Sequence, residues 1–442
     1  MPCIFRRVLL ATHSLHFRVH TRVLVTLLLV LAVTVAAIAE PEHRKLLAEA
    51  AAAKQAGDNN AFIAKLESAR ALRPDYPRVL LNLARGYAAA GRTGDALAQL
   101  RALADMGLVF NIAADSALAP LRDTPAFAAL IEAFAANARP VPASDEAAWA
   151  VADVTGIIES VAIHPQTLET FFGDVRNRCI WYRDTSGPHG VLKRFSAEAD
   201  ALDGVFAVKI DAARGTLWAS CSALPEITGY TETDKGRAFL AEYDLATRKL
   251  RSKHPLPADG RAHVLGDFAL AADGALYVTD SFAPVIWRLA PGASTLEKWL
   301  EHGDFVSLQG IAFAAGAALY AADYANGLWR IDAATRTASL LSAPAGSTLF
   351  GVDGLYSVPG GLVAVQNGVN PQRVLRLDLD EAGAPVRTKV LLAGHAAMSD
   401  AALGQIVNGH LHFVANSGWS LFESPGASPA PRNVVILSAA IN

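Results

Sequence analysis

One pattern returns so regularly after residue 150 that it leaves few folds open. The stretch 307–332, SLQGIAFAAGAALYAADYANGLWRID, shows it in full. A polar or small residue leads into a short apolar run (Gly310–Phe313). A small-residue turn follows at 314–317, then a second run ending in a polar cluster (Leu319–Tyr324). A third run ends in an acid (Gly327–Asp332). Apolar runs this short, bounded by Gly, Ala and Asp turns, form strands rather than helices. The same opening stands at Glu159-Ser-Val-Ala-Ile, Phe206-Ala-Val-Lys-Ile, Gly266-Asp-Phe-Ala-Leu, Gln309-Gly-Ile-Ala-Phe, Asp353-Gly-Leu-Tyr-Ser and Asp400-Ala-Ala-Leu-Gly. The offsets are 47, 60, 43, 44 and 47 residues. A repeat of roughly 40–50 residues with about four strands each builds a β-propeller. Six copies predict six blades.

Ahead of the repeats, from Glu42, the periodicity is helical and alanine-rich. Aligned at a spacing of 34, Leu46 meets Leu80, Ala50 meets Ala84, Gly57 meets Gly91 and Leu66 meets Leu100. That is the spacing of a tetratricopeptide helix–turn–helix. Ala84, Ala96 and Gly91 let the two helices of a hairpin close, while Tyr87 and Leu100 fill the space between them. A third, degenerate unit at 111–137 has Thr124-Pro125 as N-cap and first helical position. The expected fold is therefore multidomain. N-terminal all-α tetratricopeptide-like repeats occupy 41–138, and residues 139–148, with Pro140 and Pro142, form a linker. An all-β six-bladed β-propeller follows at 149–442. Trp149–Val154 is expected to close the ring as the outer strand of the last blade, beside Val434–Ser438. The helical repeats offer either a groove for a protein or peptide partner or a collar packed on the propeller.

Residues 1–39 stand apart. An apolar run, Val23–Ala39, follows Arg6, Arg7, Arg18 and Arg22 and ends in Ala-Ile-Ala before Glu40. A positive segment, an apolar segment and an A-x-A site make a secretory signal peptide. The alternative is an uncleaved N-terminal anchor at the lower edge of spanning length. The expected location is periplasmic or secreted, with no membrane association after cleavage. Without residues 1–39 the chain has 35 basic and 42 acidic groups, a net of −7. No basic stripe is present, which argues against nucleic acid as a partner. Cys179 and Cys221 then remain, and they read as separate buried thiols rather than a disulfide scaffold.

Strand direction locates a site. If the first strands begin on one face, the second strands return and end there. That face carries the strand starts Glu159, Phe206, Gly266, Gln309, Asp353 and Asp400 around the channel mouth. It also carries the second-strand ends Asp174, Ser222, Asp280, Asp323, Asn367 and Asn416. Three carboxylates and one amide around one axis repel and raise one another's pKa values unless a cation sits among them. Hard oxygen donors suit calcium ahead of magnesium or manganese. No close histidine pair or Cys/His cluster points to zinc. The competing reading is solvated loop residues at a wet channel.

Several stretches resemble the gluconolactonase/regucalcin-like (senescence-marker) six-bladed propellers. They are Ile158-Glu-Ser-Val-Ala-Ile, Gly204-Val-Phe-Ala-Val-Lys-Ile-Asp-Ala-Ala-Arg-Gly-Thr-Leu-Trp-Ala-Ser, Leu276-Tyr-Val-Thr-Asp-Ser, Tyr320-Ala-Ala-Asp-Tyr with the Gly-Leu-Trp-Arg-Ile that follows, and Val352-Asp-Gly-Leu. The likeness covers about residues 150–425 and is more specific for the fold than for the activity. It implies lactone opening with a divalent cation, usually calcium, held at the mouth by Glu, Asn and Asp. By position, Glu159 matches the glutamate, Asp353 the aspartate, and Gln309 stands where the family has Asn. Gly266 replaces the Asn of an Asn-Asp pair, although Asp267 remains.

Under this reading the cation polarises a lactone carbonyl and binds the attacking water. Asp353, or Asp400 beside it, takes the proton. Asn367 and Asn416, with Arg176, orient hydroxyls or the developing oxyanion, and Asp267 is a further substrate contact. His263 reads as a packing or capping histidine. Trp419, Tyr324 and Trp329 read as an apolar wall or as core. The first functional expectation is an exported metal-dependent hydrolase of lactones or related esters, acting on a small molecule. The second is a non-catalytic propeller that binds a protein or small ligand.

Overall fold

The computed structural model describes residues 41–142, 146–185, 190–314, 318–423 and 427–442. The run read as an export signal lies outside them. Six four-stranded antiparallel sheets form the propeller. Blades one to five each take four consecutive strands, starting at Ile158–Ile163, Gly204–Asp211, Leu265–Leu270, Leu308–Phe313 and Val352–Val358. Blade six is built from Gly404–Val407, His410–Val414 and Arg432–Ala440, and its outer strand is Ala147–Val154. The register Ala147↔Ser438 to Val151↔Val434 fastens the two ends of the domain together. The strand expected to close the ring does so, starting two residues earlier than the expected domain edge.

The packing explains why the strands read as unbroken apolar runs. Each blade is sandwiched between two others, so inner strands bury both faces, as along the fully buried Ile158–Ile163. Burial falls toward the rim, where Val191–Arg194 is mostly exposed. Six apolar clusters join the blades pairwise around the ring. One of these sets Val151, Val434 and Ile436 against Val161 and Phe172, closing blade six onto blade one. Cys179 and Cys221 are buried and unbonded.

Among the described residues five α-helices precede the propeller: α1 (Glu42–Gln55), α2 (Asn59–Leu72), α3 (Pro77–Ala89), α4 (Thr93–Asp105) and α5 (Pro125–Asn137). Asp58 caps α2 by accepting from Ala61 N at 2.8 Å, and Thr124 caps α5 by accepting from Phe127 N. Gly91 does not provide the close helix approach expected of it. It lies in a turn at φ +72° with open space around it, as does Gly57 at +75°, where L residues are strained. The close approach is at Gly86, where a Cβ would stand 2.9 Å from Ile63.

The helical segment is docked on the face of the propeller where the first strands begin. Tyr76 stacks on Phe350 with ring centroids 4.0 Å apart. Arg73 is buried against Phe350 and donates to the carbonyl of Asn326. Arg373, from blade five, donates to Met106 O at 2.8 Å, and Val109 N donates to Asn370 O at 2.7 Å. Burial lowers the Arg373 guanidinium to about 10. Two buried cations ending on backbone carbonyls make this a fixed seam, since leaving either unpaired is costly.

Candidate functional site at the channel mouth

In blades one to five the ladder between the first two strands slips register at the strand start, between Ile158/Ser160, Val205/Val208, Leu265/Phe268, Leu308/Ile311 and Val352/Gly354. Glu159, Asp267, Gln309 and Asp353 sit inside these slips. Bulges re-aim side chains and interrupt pairing. The blades crowd at the axis: a Cβ on Gly310 would lie 2.5 Å from Asp353 O.

A recess at the mouth is lined by Glu159, Asp353, Asn367, Asp400, Ser417 and Trp419. Its free volume is about 10 Å³, room for one water-sized body. Glu159 and Asp353 are each 2% exposed. Glu159 accepts from the indole N–H of Trp419, and Asp353 accepts from Asn367 Nδ2 at 2.7 Å. Burial, then the charge of Asp353, pushes Glu159 far above the usual carboxylate range. Burial also raises Asp353. The charge of Asp353 adds to burial in raising Glu159, so the two acids do not both ionise readily in the folded protein. The Tyr324 hydroxyl is pushed up by burial and then by the charges of Asp353 and Asp400. Asp400 accepts from Ser420 N and Ser420 Oγ, holding the short turn Trp419–Phe422 over the recess.

Of the residues expected here, Glu159, Asp353, Asn367 and Asp400 come together. Gln309 does not join them. Its Nε2 donates to Ser307 Oγ at 3.0 Å and its Oε1 accepts from Ser281 Oγ, so its amide is occupied within the wall. Asp267 lies apart from the recess lining, paired with Lys209 at 2.7 Å. Arg176 donates to Glu226 O and covers the Phe422 ring, acting on the turn rather than in the recess. Asn416 is occupied by Asn433 O and Val435 N. His263 is held between Asp280 at 2.6 Å and Asp259 at 2.8 Å, a packing role as expected. A histidine pair absent from the sequence expectations does exist: His410 and His412 alternate on one strand with rings 6.4 Å apart, lining a separate cavity beside Trp149 and Arg183.

No group of three or more His, Cys, Asp or Glu side chains poised for a metal occurs among the described residues. The mouth instead offers two carboxylates plus two buried oxygens without a hydrogen-bond partner, Asn367 Oδ1 and Ser417 Oγ. Unpaired buried acceptors beside coupled acids are what a hard cation satisfies. A hard cation there would draw on Asn367 Oδ1 rather than on Gln309, whose amide is already engaged. Sequence reasoning missed Ser417 and the indole hydrogen bond of Trp419, both in the loop after blade six's second strand.

No family model matches the sequence, and neither does any curated protein. Solved structures do resemble it. A gluconolactonase from Xanthomonas campestris aligns at 14% identity over 68% of this chain and 97% of its own, with a TM-score of 0.44. The PQQ-bound aldose sugar dehydrogenase of Streptomyces coelicolor aligns at 13% over 67% and 100%, TM-score 0.44. Virginiamycin B lyase of Staphylococcus aureus aligns at 11% over 66% and 99%, TM-score 0.43. At these values the likenesses carry no argument about the chemistry of the mouth.

Proposed function

We propose that this protein is an exported, divalent-metal-dependent hydrolase of lactones or related esters. The observation that carries the reading is the under-satisfied mouth: Glu159 and Asp353, buried and coupled, beside the unpartnered oxygens of Asn367 and Ser417. Glu159, Asp353 and Asn367 Oδ1 would hold the cation, calcium first by donor hardness. Bound there, it would polarise the ester carbonyl as a Lewis acid. The protein's own part follows from position. Asp400, at the rim, or Asp353 takes the proton from an attacking water and returns it to the departing alkoxide as the C–O bond breaks. Trp419 holds Glu159 by its indole and covers the recess from water. Export rests on residues 1–39 alone; no described helix is long and apolar enough to cross a membrane.

The helical segment is read as tetratricopeptide-like from its 34-residue spacing, supported by the matching turn conformations of Gly57 and Gly91. Its docking favours the collar role over a free partner-binding arm. A second reading, a non-catalytic propeller that binds a small ligand, gains support from one observation: the recess has room for an ion but not for a lactone ring. Titration of calcium into chelator-treated protein, followed by a lactone and ester panel read by acid release, separates the two. Binding with turnover supports the hydrolase. Binding without turnover leaves the ligand-binding propeller, and absence of binding removes the metal reading.

A further inference from the structure

Where the helical segment meets the propeller, the seam leaves a groove of about 580 Å³, within the range of pockets that hold small molecules. From α3 and the residues before it come Tyr76, Arg78 and Leu81; Phe110 follows α4; Phe350 and Tyr324 come from the propeller. The stacked Tyr76 and Phe350 rings make an apolar floor fixed by the buried Arg73 beneath. Asn367 lines both this groove and the acidic recess, so the groove opens directly beside Asp353. Tyr76, Arg78 and Ala325 are shared with a second cavity of about 400 Å³ along α1, which also carries Lys54. Arg78 is exposed and makes no ion pair among the described residues.

From these three surfaces around one groove (acidic recess, aromatic floor, guanidinium) we infer that the groove binds the apolar arm of an amphipathic ester or lactone that also carries an anionic end. The substrate class is thereby narrowed to elongated amphiphiles, and away from free sugar lactones, which have no apolar arm to bury. The inference rests on the hydrolase reading of the mouth. An aliphatic arm gains from burial on Tyr76, Phe110 and Phe350, and its charge pairs with Arg78 at a partly exposed edge. The reactive end then reaches Asn367 and the recess. The helical segment becomes half of the substrate site rather than a neighbour of it.

The test uses decanoate, an apolar chain with one anionic end, titrated calorimetrically into the full-length protein with and without calcium. Decanoate should bind the unmodified protein, and both Ala325→Trp, which fills the groove, and Arg78→Glu, which reverses the exposed charge, should weaken binding at least about tenfold. Calcium affinity should stay unchanged in both, which also reports that they are folded. In turnover, γ-decalactone should be preferred to γ-butyrolactone, and Ala325→Trp should erase the preference. Absence of decanoate binding, or equal binding by all three proteins, would overturn the groove. Loss of calcium binding in the unmodified protein would overturn the mouth reading instead, whatever decanoate does.

Discussion

The propeller buries two sets of acids to nearly the same depth, and their surroundings differ sharply. At the ends of second strands, Asp174 accepts from Asn177 N, Asn177 Nδ2 and Trp181 Nε1, each at 2.9 Å. Asp280 accepts from His263, Val264 N, Phe282 N, Ala283 N and Trp287 Nε1. Asp323 accepts from Val306 N, Ser307 N, Ala325 N and Asn326 Nδ2. At the starts of first strands, Glu159 and Asp353 have one side-chain donor apiece. A buried carboxylate surrounded by donors is a staple of its turn. One with a single donor and a second acid beside it is left under-satisfied.

The largest effect expected from this contrast is on folding. Asp280→Ala strands His263 and the Trp287 indole, and should cost about 3–5 kcal/mol, the range for removing one partner of a buried pair. Glu159→Gln keeps an acceptor for Trp419 and removes a charge, so at pH 8 and without calcium it should raise the melting temperature by about 1–3 °C. Thermal melts of both variants check the pair. A stabilised Asp280→Ala would break the comparison.

Next in size is the cation. Asp353→Ala should weaken calcium binding more than about 100-fold, since outer-shell partners alone are worth 10–100-fold. The pH dependence sharpens this. Because the mouth acids titrate above the usual carboxylate range, the folded protein keeps protons that the unfolded chain has already released. Cation-free stability from this pair is therefore lost as pH rises from the usual carboxylate range through the raised folded-state values. His43, buried and lowered to about 4, acts in the opposite direction only below its ordinary value of 6.5. Between pH 6.5 and 8 the stability of the unmodified protein should fall relative to Glu159→Gln. Over the same window calcium affinity should rise, with protons released on binding. Denaturant melts and calorimetry in two buffers of different ionisation enthalpy measure both.

Much of this architecture was legible because its causes are local or periodic. Blades bury both faces of their inner strands, so the repeat shows as apolar runs at fixed offsets, and the ring-closing strand shows as a surplus run at Trp149–Val154. Side-chain direction at the mouth was not legible. Glu159, Gln309 and Asp353 occupy equivalent bulges, yet only neighbours distant in sequence, Ser281 for Gln309 and Trp419 for Glu159, decide where each points. Nor did Arg73, Arg373 and Phe350 look like seam residues, because each is buried only by contact with the other segment.

The smallest effect tests that last distinction. Gln309 and Asn367 are both amides on the mouth face, and sequence position alone favours Gln309 as the ligand. The hydrogen bonds favour Asn367, whose Oδ1 is unpartnered while both ends of Gln309 are engaged. Asn367→Ala should weaken calcium binding about tenfold or more. Gln309→Ala should leave calcium affinity unmoved and cost about 1 kcal/mol of stability through its lost hydrogen bonds. Titration of the two variants side by side reads the difference, and the reverse order of affinities would return Gln309 to the site.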